Sequence, residues 1–151
     1  MIFLIISIVL YTLVAVIVPK RLTKSEMYQT SLFALVFVLI VDFVLSWKLG
    51  LYGYFNDKAY LRSLLVVVGI FPAASVIYLN LYPFKKEWLK QLRYILIWSI
   101  FVTVYEWLSI KYGYFYHNGW SIWYSAIVYP FVFATLTWNL VFFRKLTAKG
   151  E

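Results

Sequence analysis

The chain contains no cysteine, which rules out both a disulfide framework and thiol chemistry. It contains one histidine, His117, in a loop beside Asn118 and Ser121. No carboxylate stands next to it in the sequence to orient it as a base, so it reads as a solvated loop residue. The six glycines are scattered and form no phosphate-binding loop. A metal site would have to gather His117 with Asp57, Asp42 or Glu106, a contrived set for that spacing. The expectation is a non-enzymatic protein with no metal and no cofactor.

What is abundant is apolar surface. Hydrophobic residues make up 64% of the 151 residues, against about 45–50% in a soluble globular chain. A soluble protein of this size has no interior large enough to hide that share, whereas a membrane protein has lipid as its solvent. The net charge of +8 invites a nucleic-acid reading. The basic residues, however, sit in short clusters between apolar stretches and form no continuous face, so nucleic acid is excluded as a partner.

Five apolar stretches, near residues 2–18, 27–47, 63–81, 94–110 and 124–143, alternate with charged breaks. Each is expected to be a helix, because unpaired backbone groups are too costly in hydrocarbon and the chain is too short for a barrel. The fold class is therefore all-α, a polytopic helix bundle forming one transmembrane domain over 1–151. The first stretch lacks a positive leading region and a small-x-small cleavage site, and is expected to be retained. Lys20, Arg21, Lys24, Lys85, Lys86, Lys90, Arg93, Arg144, Lys145 and Lys149 fall on one side; Lys48, Lys58, Arg62 and Lys111 fall on the other. The richer side is cytoplasmic by the positive-inside rule, so the N-terminus is expected outside and the C-terminus inside.

Strings recur along the chain. Leu45-Ser46-Trp47-Lys48 returns as Leu108-Ser109-Ile110-Lys111, and Tyr52-Gly53-Tyr54-Phe55 as Tyr112-Gly113-Tyr114-Phe115. Asn80-Leu81 before Phe84-Lys85-Lys86 returns as Asn139-Leu140 before Phe143-Arg144-Lys145. Two helix hairpins of the same orientation form a parallel repeat, with an axis along the membrane normal. The first stretch is then an unpaired helix.

Two acids, Asp42 and Glu106, fall inside expected spans at near-equivalent repeat positions, one residue out of register. At about 1.5 Å per residue both lie in the outer third of the bilayer. An intramembrane carboxylate is a functional candidate, here as a proton- or cation-handling pair. The alternative is an interfacial residue satisfied by Tyr or Trp donors or by Lys48, Arg62 or Lys111. Asn80 and Asn139 form a second polar pair near the cytoplasmic ends, read as interhelical glue. Pro72 and Pro130 are expected to kink their helices, with the small residues around them allowing close packing. Tyr52, Tyr54, Tyr112, Tyr114, Trp120 and Trp123 are expected to form an outer aromatic surface at the headgroup level.

With Pro19-Lys20-Arg21, Asp42, Tyr52-Gly53-Tyr54-Phe55, Pro72, Tyr78-Leu79-Asn80 and Pro83, the whole chain resembles a family of small multi-pass membrane proteins, mostly uncharacterised, of spore-forming Firmicutes. The resemblance implies a bacterial plasma membrane and no particular activity. The leading expectation is a structural or accessory membrane protein that contacts lipid, another membrane protein or a second copy of itself. The alternative is a small transporter or ion pathway using Asp42 and Glu106.

Overall fold

The computed structural model describes residues 2–55 and 60–148, the backbone alone for 60–62; Asp57, Lys58, Lys149 and the side chain of Arg62 lie outside that description. Five α-helices, α1 (Ile2–Ile17), α2 (Lys24–Asp42), α3 (Tyr60–Leu81), α4 (Trp88–Lys111) and α5 (Ile122–Thr147), carry most of the described chain. A π-helical turn, Phe43–Lys48, continues α2, and two short strands, β1 (Tyr52–Tyr54) and β2 (Phe115–His117), follow α2 and α4. Four helices are long and apolar enough to cross a membrane, whereas α1, at 16 residues, is shorter. The Ser63–Leu81 window coincides with expectation. By contrast, α4 starts at Trp88, six residues before the apolar stretch, because its polar first turns continue the helix beyond the hydrocarbon-compatible segment.

Local signals explain the helix ends. Thr23 caps α2: its Oγ1 accepts from Glu26 N at 3.2 Å, while Glu26 Oε2 accepts from Thr23 N at 2.7 Å, a reciprocal capping box. The stretch after α2 turns at Gly50 and that after α4 at Gly113, with φ of +63° and +74°, where a side chain would strain the backbone.

The helices stand in a ring. α3 packs against α1 and α2, and α5 packs against α2 and α4. α1 reaches α4 through aromatic rings, Phe3 on Tyr105 and Tyr112, and Tyr11 edge-on to Tyr105. Close approach of α1 and α3 depends on Gly69, where a Cβ would sit 2.9 Å from Ile8. α3 and α5 remain continuous helices through Pro72 and Pro130, and Ser75 Oγ donates to the Pro72 carbonyl at 2.8 Å. The β strands pair antiparallel across one end of the ring, Tyr52 opposite His117, Gly53 opposite Tyr116 and Tyr54 opposite Phe115. We call this the strand end, and the opposite one, near Arg21, Lys85 and Arg144, the basic end.

Polarity is inverted relative to a soluble protein. Ile5, Ile6, Val36, Ile100, Ile127 and Phe131 are exposed around the ring, while Ser75, Asn80, Ser99, Ser109 and Ser125 are buried in it. An apolar outer surface suits lipid, and the hydroxyls of Ser75, Ser99, Ser109 and Ser125 bond within the bundle, whereas buried Thr30 Oγ1 has no partner among the described residues. The packed interior has two centres, one at the basic end around Tyr78, Leu79 and Leu140 and one at the strand end around Leu4, Val66 and Tyr114.

Candidate functional site

Asp42 and Glu106, both carried by membrane-length helices, meet at one cavity of about 210 Å³ inside the ring. Asp42 comes from the last turn of α2 and Glu106 from the C-terminal half of α4, and they are 8% and 5% exposed. Both line the cavity with Tyr52, Tyr54, Trp120 and Tyr129. Asp42 Oδ1 accepts from Tyr52 OH at 2.7 Å and Oδ2 from Tyr54 OH at 3.0 Å. Glu106 Oε1 accepts from Ser125 Oγ at 2.7 Å, and its Oε2 accepts from Tyr129 OH. Ser125 in turn accepts from Trp120 Nε1 at 2.8 Å. Among the residues whose side chains are described, no Lys or Arg pairs with either acid; Lys111 Nζ lies 5.5 Å over the Trp107 ring instead.

His117 corrects a sequence expectation. It is not a solvated loop residue without a carboxylate: its Nε2 lies 2.8 Å from Glu106 Oε1, with its side chain only 16% exposed. The two residues are 11 apart in sequence, and β2 folds back over the end of α4 to bring them together. The described residues hold no cluster of three or more metal-ligating side chains.

The aromatic surface is corrected in part as well. Tyr112 and Trp123 are exposed as expected, but Tyr52 and Tyr114 are buried and Tyr54 and Trp120 half-buried. They turn inward to hydrogen-bond buried groups: Tyr52 and Tyr54 donate to Asp42, and Tyr114 OH accepts from Ser109 Oγ at 2.7 Å and donates to Tyr105 OH at 2.8 Å. Burial pushes the Tyr52 hydroxyl well above its ordinary range, and the charges of Asp42 and Glu106 add to this. Tyr54 is raised for the same first reason, with Asp42 adding. Both phenols therefore remain neutral donors.

The asparagines lie apart from the cavity, at the basic end. Asn80 is fully buried, and its Oδ1 accepts from Arg21 N at 2.8 Å and Leu22 N at 3.1 Å. It ties α3 to the α1–α2 connection, which is glue to a loop more than to a helix. Asn139 Oδ1 accepts from Gln29 Nε2, linking α5 to α2. Beside it is a contact that the sequence did not suggest, an ion pair between Glu26 and Arg144, with Arg144 also 4.5 Å over the Phe84 ring. A signal for Glu26 existed in Thr23-x-x-Glu26, the capping pattern. None existed for its partner 118 residues away.

No family model matches the chain, and no curated protein and no solved structure matches it. Function is therefore read from the cavity.

Proposed function

We propose that this chain is a small carrier of the bacterial plasma membrane that binds a cation between Asp42 and Glu106. In this reading it crosses the bilayer five times, N-terminus outside and C-terminus inside, with α1 completing the ring. One observation carries the proposal: two buried carboxylates share the wall of one cavity, and among the described side chains His117, beside Glu106, is the one basic partner, with no Lys or Arg paired to either acid. Buried charge of one sign is costly without a partner, and an arriving cation supplies one.

The parallel repeat belongs to the same proposal, with a register that the strands improve. β1 and β2 are 63 residues apart, the spacing of Lys48 and Lys111 and of Gly50 and Gly113. Tyr52-Gly53-Tyr54 thus corresponds to Phe115-Tyr116-His117, not to Tyr112-Gly113-Tyr114. In that register the ladder is reciprocal, as a twofold axis requires. Phe55 N donates to Tyr114 O at 2.9 Å, and its counterpart Asn118 N donates to Leu51 O at 2.7 Å. Tyr54 bonds Asp42 and its counterpart His117 bonds Glu106. The one-residue mismatch between the acids falls within the π-helical turn, which accommodates an extra residue.

A second reading, a structural or accessory membrane protein contacting lipid, another protein or itself, is favoured by the bonding of the acids. Every carboxylate oxygen already accepts a hydrogen bond. Thermal unfolding in lipid nanodiscs separates the two. For a carrier, at least one cation among sodium, potassium and alkylammonium salts raises the wild-type Tm, since ligand stabilises by RT ln(1 + [L]/Kd). No cation raises that of the Asp42→Asn, Glu106→Gln variant. For a structural role, no cation acts on either protein and the variant alone melts lower.

A further inference from the structure

Resting on the carrier reading, we infer that the cavity takes a small organic ammonium ion, and a quaternary one in preference to an inorganic cation. The wall argues first. Apart from the two acids and the hydroxyls of six tyrosines and three serines, the lining is aliphatic and aromatic. Hard inorganic cations take about six or more oxygen ligands. Here the carboxylate oxygens already accept from Tyr52, Tyr54, Ser125 and Tyr129. An ion that demands a full oxygen shell would have to break those bonds. An ion that brings charge without N–H donors leaves them in place.

The rings argue second. Tyr52 and Phe115 have centroids 5.3 Å apart, as do Tyr54 and Phe115, and Tyr52 meets Trp120 edge-on at 5.9 Å. These four side chains lock together at the strand end and line the same cavity as the acids. Aromatic faces attract ammonium groups through their quadrupoles, most strongly where water is excluded. Carboxylates within an aromatic cluster satisfy both the charge and the alkyl surface of such a ligand.

Size argues third. The cavity, at about 210 Å³, exceeds an apolar cavity of about 150 Å³ that admits benzene. It falls short of the roughly 300 Å³ at which pockets for drug-sized ligands begin. The occupant is therefore a single ammonium with short alkyl groups, not a polycyclic cation.

The test is isothermal titration calorimetry of the full chain in nanodiscs with choline chloride, its neutral isostere 3,3-dimethylbutan-1-ol, and potassium chloride. Choline binds, the alcohol binds at least about tenfold more weakly, and potassium does not compete. Phe115→Leu, which removes a ring and no polar group, weakens choline by about three- to thirtyfold, the range of one desolvated cation–π contact. The double Asn/Gln variant loses binding by more than tenfold. If potassium binds and choline does not, the organic-cation inference fails while the carrier reading stands. Equal binding of choline and the alcohol would overturn the inference and remove the charge on which the carrier reading relies. No binding by any cation overturns both. Should the acid variant fail to fold, the isostere comparison and Phe115→Leu still decide.

Discussion

His117 Nε2 sits 2.8 Å from Glu106 Oε1, so the single histidine of the chain is a partner of one of the two buried acids of the cavity. Tyr54 stands beside Asp42 instead. A neutral phenol and an imidazole thus stand over two carboxylates, making the surroundings of the two acids chemically unequal.

Orientation is open to direct measurement, because the native chain has no cysteine to remove. Cysteines at Asn118 and Ala148, both exposed and at opposite ends of the ring, should label oppositely. An impermeant maleimide should reach the first in intact cells and the second only after lysis. The reverse pattern would invert the proposed topology.

Gly69 should tolerate no larger residue. Its Cβ would meet Ile8 at 2.9 Å, and overpacking at such a contact costs about 1–3 kcal/mol. Gly69→Ala should therefore lower the Tm, and Ile8→Ala in the same chain should restore part of it. A Tm unchanged by Gly69→Ala would show that α1 is not packed on α3 this closely.

Arg144→Ala leaves Glu26 buried at 11% side-chain exposure without its cation. Loss of one partner of a buried pair is costly. Arg144 is itself 36% exposed, so solvent screening reduces the loss to roughly 1–2 kcal/mol. Adding Glu26→Gln should recover stability, since the stranded charge is then gone. Guanidinium unfolding curves in micelles would read both changes.

Alkaline pH should unfold the strand end. Burial raises Tyr52, Tyr54 and Tyr114 above the ordinary 10.0. For an acid raised in the folded state, the unfolded chain releases its proton first. The contribution to stability is whole below pH 10 and is lost as pH rises above it. Phenolate absorbance should therefore lag in the folded protein and jump with the loss of tertiary circular dichroism. Full, smooth titration of all tyrosines with the fold intact would contradict the burial described.

Much of the helical scaffold was legible because the apolar segments are long and their breaks charged; Ser63–Leu81 is bounded by Arg62 on one side and followed by Pro83 on the other. The acids were legible for the same reason, being exceptions within such segments. The short strands were not, since three-residue strands carry no periodicity and Tyr-Gly-Tyr composition equally suits a membrane interface. That is why Tyr52 and Tyr114 read as surface residues. Their inward turn depends on Asp42 and Ser109, which the turns after α2 and α4 bring under them. The Glu26–Arg144 and Gln29–Asn139 contacts join α2 to α5 across more than a hundred residues, beyond any local pattern.

The π-helical turn Phe43–Lys48 widens the backbone loop, with Leu49 N reaching back to Val44 O at 3.0 Å. A helix of ordinary pitch would rotate everything upstream by about 100° for each residue inserted. Widening the turn confines that phase error to six residues. Asp42 consequently keeps its azimuth toward the bundle axis while Gly50 and β1 keep theirs toward the partner strand. The turn works as a phase compensator between two fixed points.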